Sequence, residues 1–187
     1  MAFVPRLNDD GIVNNFHWYS DNIFYQSGYG MPNCTCYAWG RFWEIGDPLS
    51  DKSNKPVNLP TGSGGQWWEM AIEKGYYKTG QSPQLGAVAC FLDNSGGDGH
   101  VAIVEEIKEN GDIVTSNSAW QSTFFWLMDL QKSNNYNFSG YTFQGFIYNP
   151  FSDSPTPPTP PTPLPATKKE KFKWVLYLRN IRKRNIT

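Results

Sequence analysis

The chain has 187 residues, 39% hydrophobic and 16% aromatic, with a mean hydropathy of −0.54 and a formal net charge of −1. That length suits one compact domain with its own core and a short appendage, and the N-terminal stretch MAFVPRLNDDGIV holds no apolar run of the length a signal peptide or a membrane span requires. Three cysteines is an odd count and too few for a disulfide framework, so free thiols are expected, in a chain made as a soluble cytoplasmic protein.

In chain order, the first half reads as helices and loops. Asn33 is a good N-cap, and Ala38, Phe42 and Ile45 recur at helical spacing behind Cys34. A helix is predicted to begin at the cysteine and to end near Gly46, where Asp47-Pro48 forbids continuation. A second helix is predicted over 66–74, stopped by Gly75. After Gly86 the text turns to short β-rich runs, AVACFL, HVAIVEEI, DIVTSNS, FFWLMDL and YTFQGFIYN, separated by turn residues. Asn110-Gly111 between the second and third is a two-residue hairpin signal. Helices followed by a meandering antiparallel sheet make an α+β domain over 1–150. The eight tryptophans suit either a core or a sugar-binding cleft.

Residues 151–167 are a Pro/Thr-rich linker in which neither helix nor sheet ladder can form. The tail 168–187 follows, and charge divides there: residues 167–187 carry a net +7 and residues 1–166 a net −8. Such a tail is drawn to polyanions such as wall teichoic acid or anionic lipid. It reads either as a solvated end or as an incomplete second module. The acidic body argues against nucleic acid as a partner.

The cysteines in NCTCYAWGR sit two positions apart. Structural zinc needs four ligands, usually in two close pairs, and Cys34-x-Cys36 has no second pair. A redox pair uses C-x-x-C, whereas one intervening residue turns two thiols about 200° apart on a helix. A nucleophile fits better. Backbone N–H groups at a helix start favour a thiolate, so Cys34 beside the cap is expected to have a lowered pKa. Cys36 and Cys90 read as packing residues. The base is then His100, at the mouth of a strand after the glycine-rich NSGGDG, with His17 left as a packing or surface histidine. A hairpin centred on 110–111 pairs positions summing to about 221, which makes Asn117 the best polar candidate to orient His100.

CTCYAWGR, GAVACF, GHVAIVEEI and TSNSAW, in this order, resemble the CHAP domains, the cysteine- and histidine-dependent amidohydrolase/peptidases of phage lysins and bacterial wall hydrolases. The resemblance runs over 33–149 and implies a papain-like α+β fold of the CHAP or NlpC/P60 type, with helices packed on an antiparallel sheet. By position it makes Cys34 the nucleophile, His100 the base and acid, and Asn117 the orienting residue, often Glu in relatives. Asn33, Trp39 and Trp120 are expected to bind substrate. Cys36 stands where the family usually has Trp, and Ala87 replaces an acidic residue of the family's G-D-x-A strand. Relatives that bind calcium use an acidic loop ahead of the cysteine; here Asp21 lies without a D-x-D pattern, so no cofactor is expected. The implied substrate is peptidoglycan, cut next to muramic acid or within its peptides. With the linker and tail, the implied role is a phage lysin that reaches the bacterial wall by holin release or in the virion, where the tail touches anionic polymers. A non-catalytic wall-binding or virion module is the alternative.

Overall fold

The computed structural model describes residues 3–152. The expected linker and basic tail lie outside these, apart from the first two linker positions. Three helices come first: α1 (Ile23–Gln26), α2 (Cys34–Gly46) and α3 (Trp67–Lys74). Six strands follow: β1 (Thr79–Gly80), β2 (Val88–Asp93), β3 (His100–Ile107), β4 (Ile113–Asn117), β5 (Trp126–Leu130) and β6 (Tyr141–Ile147). They form one antiparallel sheet in the order β1-β6-β2-β3-β4-β5. The α+β expectation holds. The single-turn α1 and the two-residue β1 are additions that no periodic pattern announces.

Two expectations change. The sheet is a meander only from β2 to β5, because β6 returns to the far side of β2 instead of continuing beside β5. The turn after β3 is also longer than the Asn-Gly signal implied. Lys108 N–H donates to Asp112 O at 2.8 Å, Gly111 N–H donates to Lys108 O at 2.8 Å, and Gly111 has φ +85°. Asn110 does not share that positive φ, which a two-residue primed turn demands of both its residues. The connection is therefore a type I turn closed by a glycine in the left-handed region.

Strand alternation splits the core between the two sheet faces. Val88, Cys90, Val101 and Ile103 pack toward the helices with Trp18, Tyr37, Trp39, Phe42, Trp43 and Trp67. Ala89, Phe91, Ala102 and Val104 face the other way with Ile113, Leu130 and Phe146. Both faces of β2 and β3 are covered, which is why AVACFL reads as a continuous apolar run. Four tryptophans are fully buried, so these four serve the core. Each such side chain contributes about 1.5–3 kcal/mol or more by leaving water.

Candidate active site

The site forms where the start of α2 meets the adjoining ends of β3 and β4. Asn33 caps α2: its Oδ1 accepts from Thr35 N–H at 2.8 Å, Thr35 Oγ1 at 2.7 Å and Cys36 N–H at 3.4 Å. Its own N–H donates to Ser118 Oγ at 3.0 Å. This bond ties the residue before Cys34 to the residue after Asn117. The Cys34 sulfur in turn lies against the backbone of Val101, the residue after His100. Three elements are thus stitched together by the immediate neighbours of Cys34, His100 and Asn117.

His100 Nε2 pairs with Asn117 Oδ1 at 3.0 Å. The orientation of the amide is fixed by its nitrogen, which donates to Thr115 O at 2.9 Å and Thr115 Oγ1 at 3.1 Å. The oxygen must therefore face the imidazole, and Nε2 carries the proton. Nδ1 is left with a free lone pair. Trp126 stacks on the ring at 5.8 Å, and Phe91, Phe138 and Tyr141 stand 6.0–6.2 Å away. Burial among these rings pushes the His100 pKa below its ordinary 6.5, against the pull of Asn117.

The thiol departs from expectation. Burial pushes Cys34 up, and it outweighs the opposing backbone contacts from Val101, Thr35 and Cys34 itself. The helix-start effect is present but is overcome by desolvation, since charge is costly in an enclosed site. Burial thus favours the uncharged form of both the thiol and the imidazole. Cys36 is fully buried, donates to Trp18 O at 3.4 Å, and is pushed up to about 12 by burial. Cys90 is buried in β2 and is also pushed up. All three thiols are free.

Two residues expected to touch substrate are placed elsewhere. Trp39 is 0% exposed and packs edge-on against Trp43 at 5.4 Å, so it has no surface to offer a ligand. Its position five residues beyond Cys34 turns it into the core. Asn33 is 7% exposed and its oxygen is filled by helix-start donors, which makes it a cap. Trp120 is 47% exposed, in the loop between β4 and β5, with its ring 5.7 Å from that of Tyr29, itself 56% exposed. Gln121 N–H from the same loop donates to Pro32 O at 3.3 Å, two residues before Cys34. This exposed aromatic pair flanks the approach to the cap.

His17 is buried rather than on the surface, with Nε2 3.1 Å from Asp47 Oδ2 and Nδ1 2.9 Å from Asn15 Oδ1. Asp21 is paired with Lys52 at 2.8 Å. Among the described residues no three or more His, Cys, Asp or Glu side chains are grouped as metal ligands would be.

Sequence reasoning missed the backing of the histidine. A Cβ on Gly64 would stand 3.0 Å from both Cα and N of His100, and one on Gly99 would stand 2.3 Å from Gly65 Cα. Gly65 N–H also donates to Asp98 O at 2.7 Å. SGGQ is thus a close-packed backbone floor beneath the start of β3. The paired glycines were the visible signal, but their partner across the fold was not.

The chain matches the family model for CHAP domains over residues 24–119, a span that includes Cys34, His100 and Asn117. It is 30% identical over 88 residues to a probable autolysin LDP of Staphylococcus aureus (strain NCTC 8325 / PS 47), covering 47% of this chain and 28% of that protein. Over 52 residues it is 40% identical to a putative hydrolase of Streptococcus mutans serotype c (strain ATCC 700610 / UA159), covering 28% of this chain and 23% of that one. Among solved structures it resembles an N-acetylmuramoyl-L-alanine amidase from Staphylococcus aureus, with TM-score 0.47 and 20% identity over 63% of this chain and 32% of the other. The chain spans about a quarter of the length of the curated relatives it matches.

Proposed function

Because the chain belongs to the CHAP domain family, we propose that it is a peptidoglycan hydrolase that cleaves an amide bond through Cys34, with His100 as base and acid and Asn117 as its orienting partner. The observation that carries this reading is the Nε2–Asn117 bond, which frees Nδ1 to take a proton, beside a cysteine that opens a helix. The names of the relatives, a probable autolysin and a putative hydrolase, agree with it.

In this mechanism the thiol proton passes to His100 Nδ1 as Sγ attacks the carbonyl carbon. Asn33 occupies the N–H groups of Thr35 and Cys36, leaving that of Cys34 beside the sulfur to receive the oxyanion. The tetrahedral intermediate expels the amine, which takes the proton from Nδ1 and leaves a thioester. Water then adds to the thioester with Nδ1 again accepting a proton, and the acid product and free thiol are restored.

Trp120 and Tyr29 are the side chains we assign to substrate contact, since flat exposed rings near the cap suit the apolar faces of sugars. The +7 tail is assigned to anionic wall polymers, which makes a lysin acting at the bacterial wall the reading of the whole chain. The test is mass spectrometry of muropeptides released from purified Gram-positive walls. A stem peptide released with a free L-alanine amine, matched by a free muramic acid carboxylate on the glycan, reports the muramoyl–alanine bond, and a new peptide amine within the stem or bridge reports endopeptidase cleavage. Release that persists undiminished in Cys34→Ala would overturn the assignment, and binding without release would favour a non-catalytic wall module.

A further inference from the structure

The three proposed catalytic residues sit on three elements, and one buried carboxylate is bonded to all three of those elements. Glu105, 1% exposed, accepts at Oε1 from Arg41 Nε at 3.0 Å and from Ser116 Oγ at 2.7 Å. Its Oε2 accepts from Arg41 Nη2 at 2.9 Å and from the Arg6 backbone N–H at 2.7 Å. Four donors fill the carboxylate. Arg41 lies on α2 seven residues beyond Cys34, two turns along and about 20° around, so the two share a side of the helix. Ser116 directly precedes Asn117 on β4, and Glu105 shares β3 with His100.

The strand is shaped to deliver this side chain. Ile103 pairs with Ser116 and Val104 with Thr115, but Glu106 pairs with Val114, so the register slips at Glu105 and leaves it bulged. The slip costs ladder regularity there, while strand alternation already turns Glu105, two residues beyond Ile103, toward the helix side. The neighbouring Ile103 packs in the helix-side core, and Glu105 reaches Arg41 on that same side. Apolar residues of equal volume would hold a core at least as well as a buried ion pair. What a bidentate Arg–carboxylate pair adds is a fixed distance and angle between the elements that carry it.

We propose that Glu105, acting through Arg41 and Ser116, is a positioning residue that sets α2 against the β3–β4 hairpin and so places the Cys34 sulfur relative to His100 and Asn117. This rests on the functional reading of those three residues given above. Glu105 itself touches no reacting atom, since five residues of extended strand, roughly 16 Å, separate it from His100. Its effect is on geometry, and a misplacement of about 1 Å is enough to cost on the order of 100-fold in rate.

The experiment follows carbamidomethylation of Cys34 by iodoacetamide across pH 5–9 in the full chain, read by peptide mass spectrometry, beside wall hydrolysis and thermal melts. Glu105→Gln turns an amide N–H₂ toward groups that are already donors. At a temperature where it remains folded, Cys34 is expected to react on the order of 10- to 100-fold more slowly, with a flattened pH dependence, while kcat for wall hydrolysis falls in parallel and KM holds. Glu105→Asp, which keeps the charge, is expected to recover part of the rate. Ser116→Ala, which removes only the β4 arm, is expected to show the same loss in smaller degree. Variants that melt lower yet alkylate Cys34 at the parent rate and pH dependence overturn the proposal; if Glu105→Gln does not fold, a parental profile in both Glu105→Asp and Ser116→Ala does so. Failure of the functional reading shows instead in the parent protein, as a Cys34 whose alkylation ignores His100→Ala.

Discussion

The His100 imidazole donates from Nε2 to Asn117 Oδ1 across 3.0 Å, and Asn117 is held for this by its own nitrogen, which is bonded to Thr115. The pair decides which ring nitrogen remains free, Nδ1, the one proposed to act on Cys34. Asn117→Ala is expected to leave a buried N–H without a partner, costing about 1–3 kcal/mol of stability, and to slow wall hydrolysis by about tenfold or more as the tautomer lock is lost. Asn117→Asp places a charge beside the ring, raises the His100 pKa, and is expected to move the acid limb of the rate profile to higher pH. Thermal melts and rates measured from pH 5 to 9 check both.

Cys34→Ala and His100→Ala are each expected to abolish release of muropeptides, with a loss of at least about 10²-fold. Cys36→Ala is expected to keep hydrolysis near the parent rate and to cost about 1 kcal/mol, because its sulfur is fully buried and donates to Trp18 O. Cys90→Ala is expected to behave in the same way within β2. Site-resolved alkylation should label Cys34 and spare the two buried thiols.

Stability should decline in mild acid. His17 and His100 both have folded pKa values below 6.5, chiefly through burial, with Asp47 opposing the shift at His17 and Asn117 at His100. As pH falls through 6.5 the unfolded chain takes up these protons before the folded one does, so the favourable difference is fully present above pH 6.5 and is lost below it. Melting temperature is expected to drop between pH 7.5 and 5. A smaller drop in His17→Asn would assign part of the loss to that residue, and an unchanged melting temperature in the parent would contradict the expectation.

Gly99 and Gly96 form a matched pair of tests for the floor under the histidine. Both have positive φ, +71° and +83°, so alanine at either is strained by about 1 kcal/mol. Only at Gly99 would the new Cβ collide with backbone, 2.3 Å from Gly65 Cα, while at Gly96 it would meet nothing within 4 Å. Gly99→Ala is therefore expected to lose much more stability and activity than Gly96→Ala. Equal losses in the two would show that the close approach of 64–65 to 99–100 does not matter to the site.

Trp120→Ala and Tyr29→Ala are expected to raise KM for wall substrate several-fold while changing stability by less than about 0.5 kcal/mol, since both side chains are largely exposed. An unchanged KM in the double variant would remove these rings from the substrate surface.

What the sequence determined by itself was local. Asn33 ahead of a run with helical spacing sets the start of α2, and 3.6 residues per turn separates Cys34 from Cys36 without reference to anything else. The β-rich runs set the strands, and with the hairpin they brought Asn117 within reach of His100. Tertiary structure decided the rest, because burial and pairing depend on residues distant in the chain. The packing around Trp39 sent it into the core, and enclosure by four aromatic rings lowered the His100 pKa. Desolvation overcame the helix-start effect at Cys34, and the packing of α2 on the sheet set Glu105 against an arginine 64 positions away. Periodicity records which way a side chain faces along its own element, but not what the fold has placed opposite it.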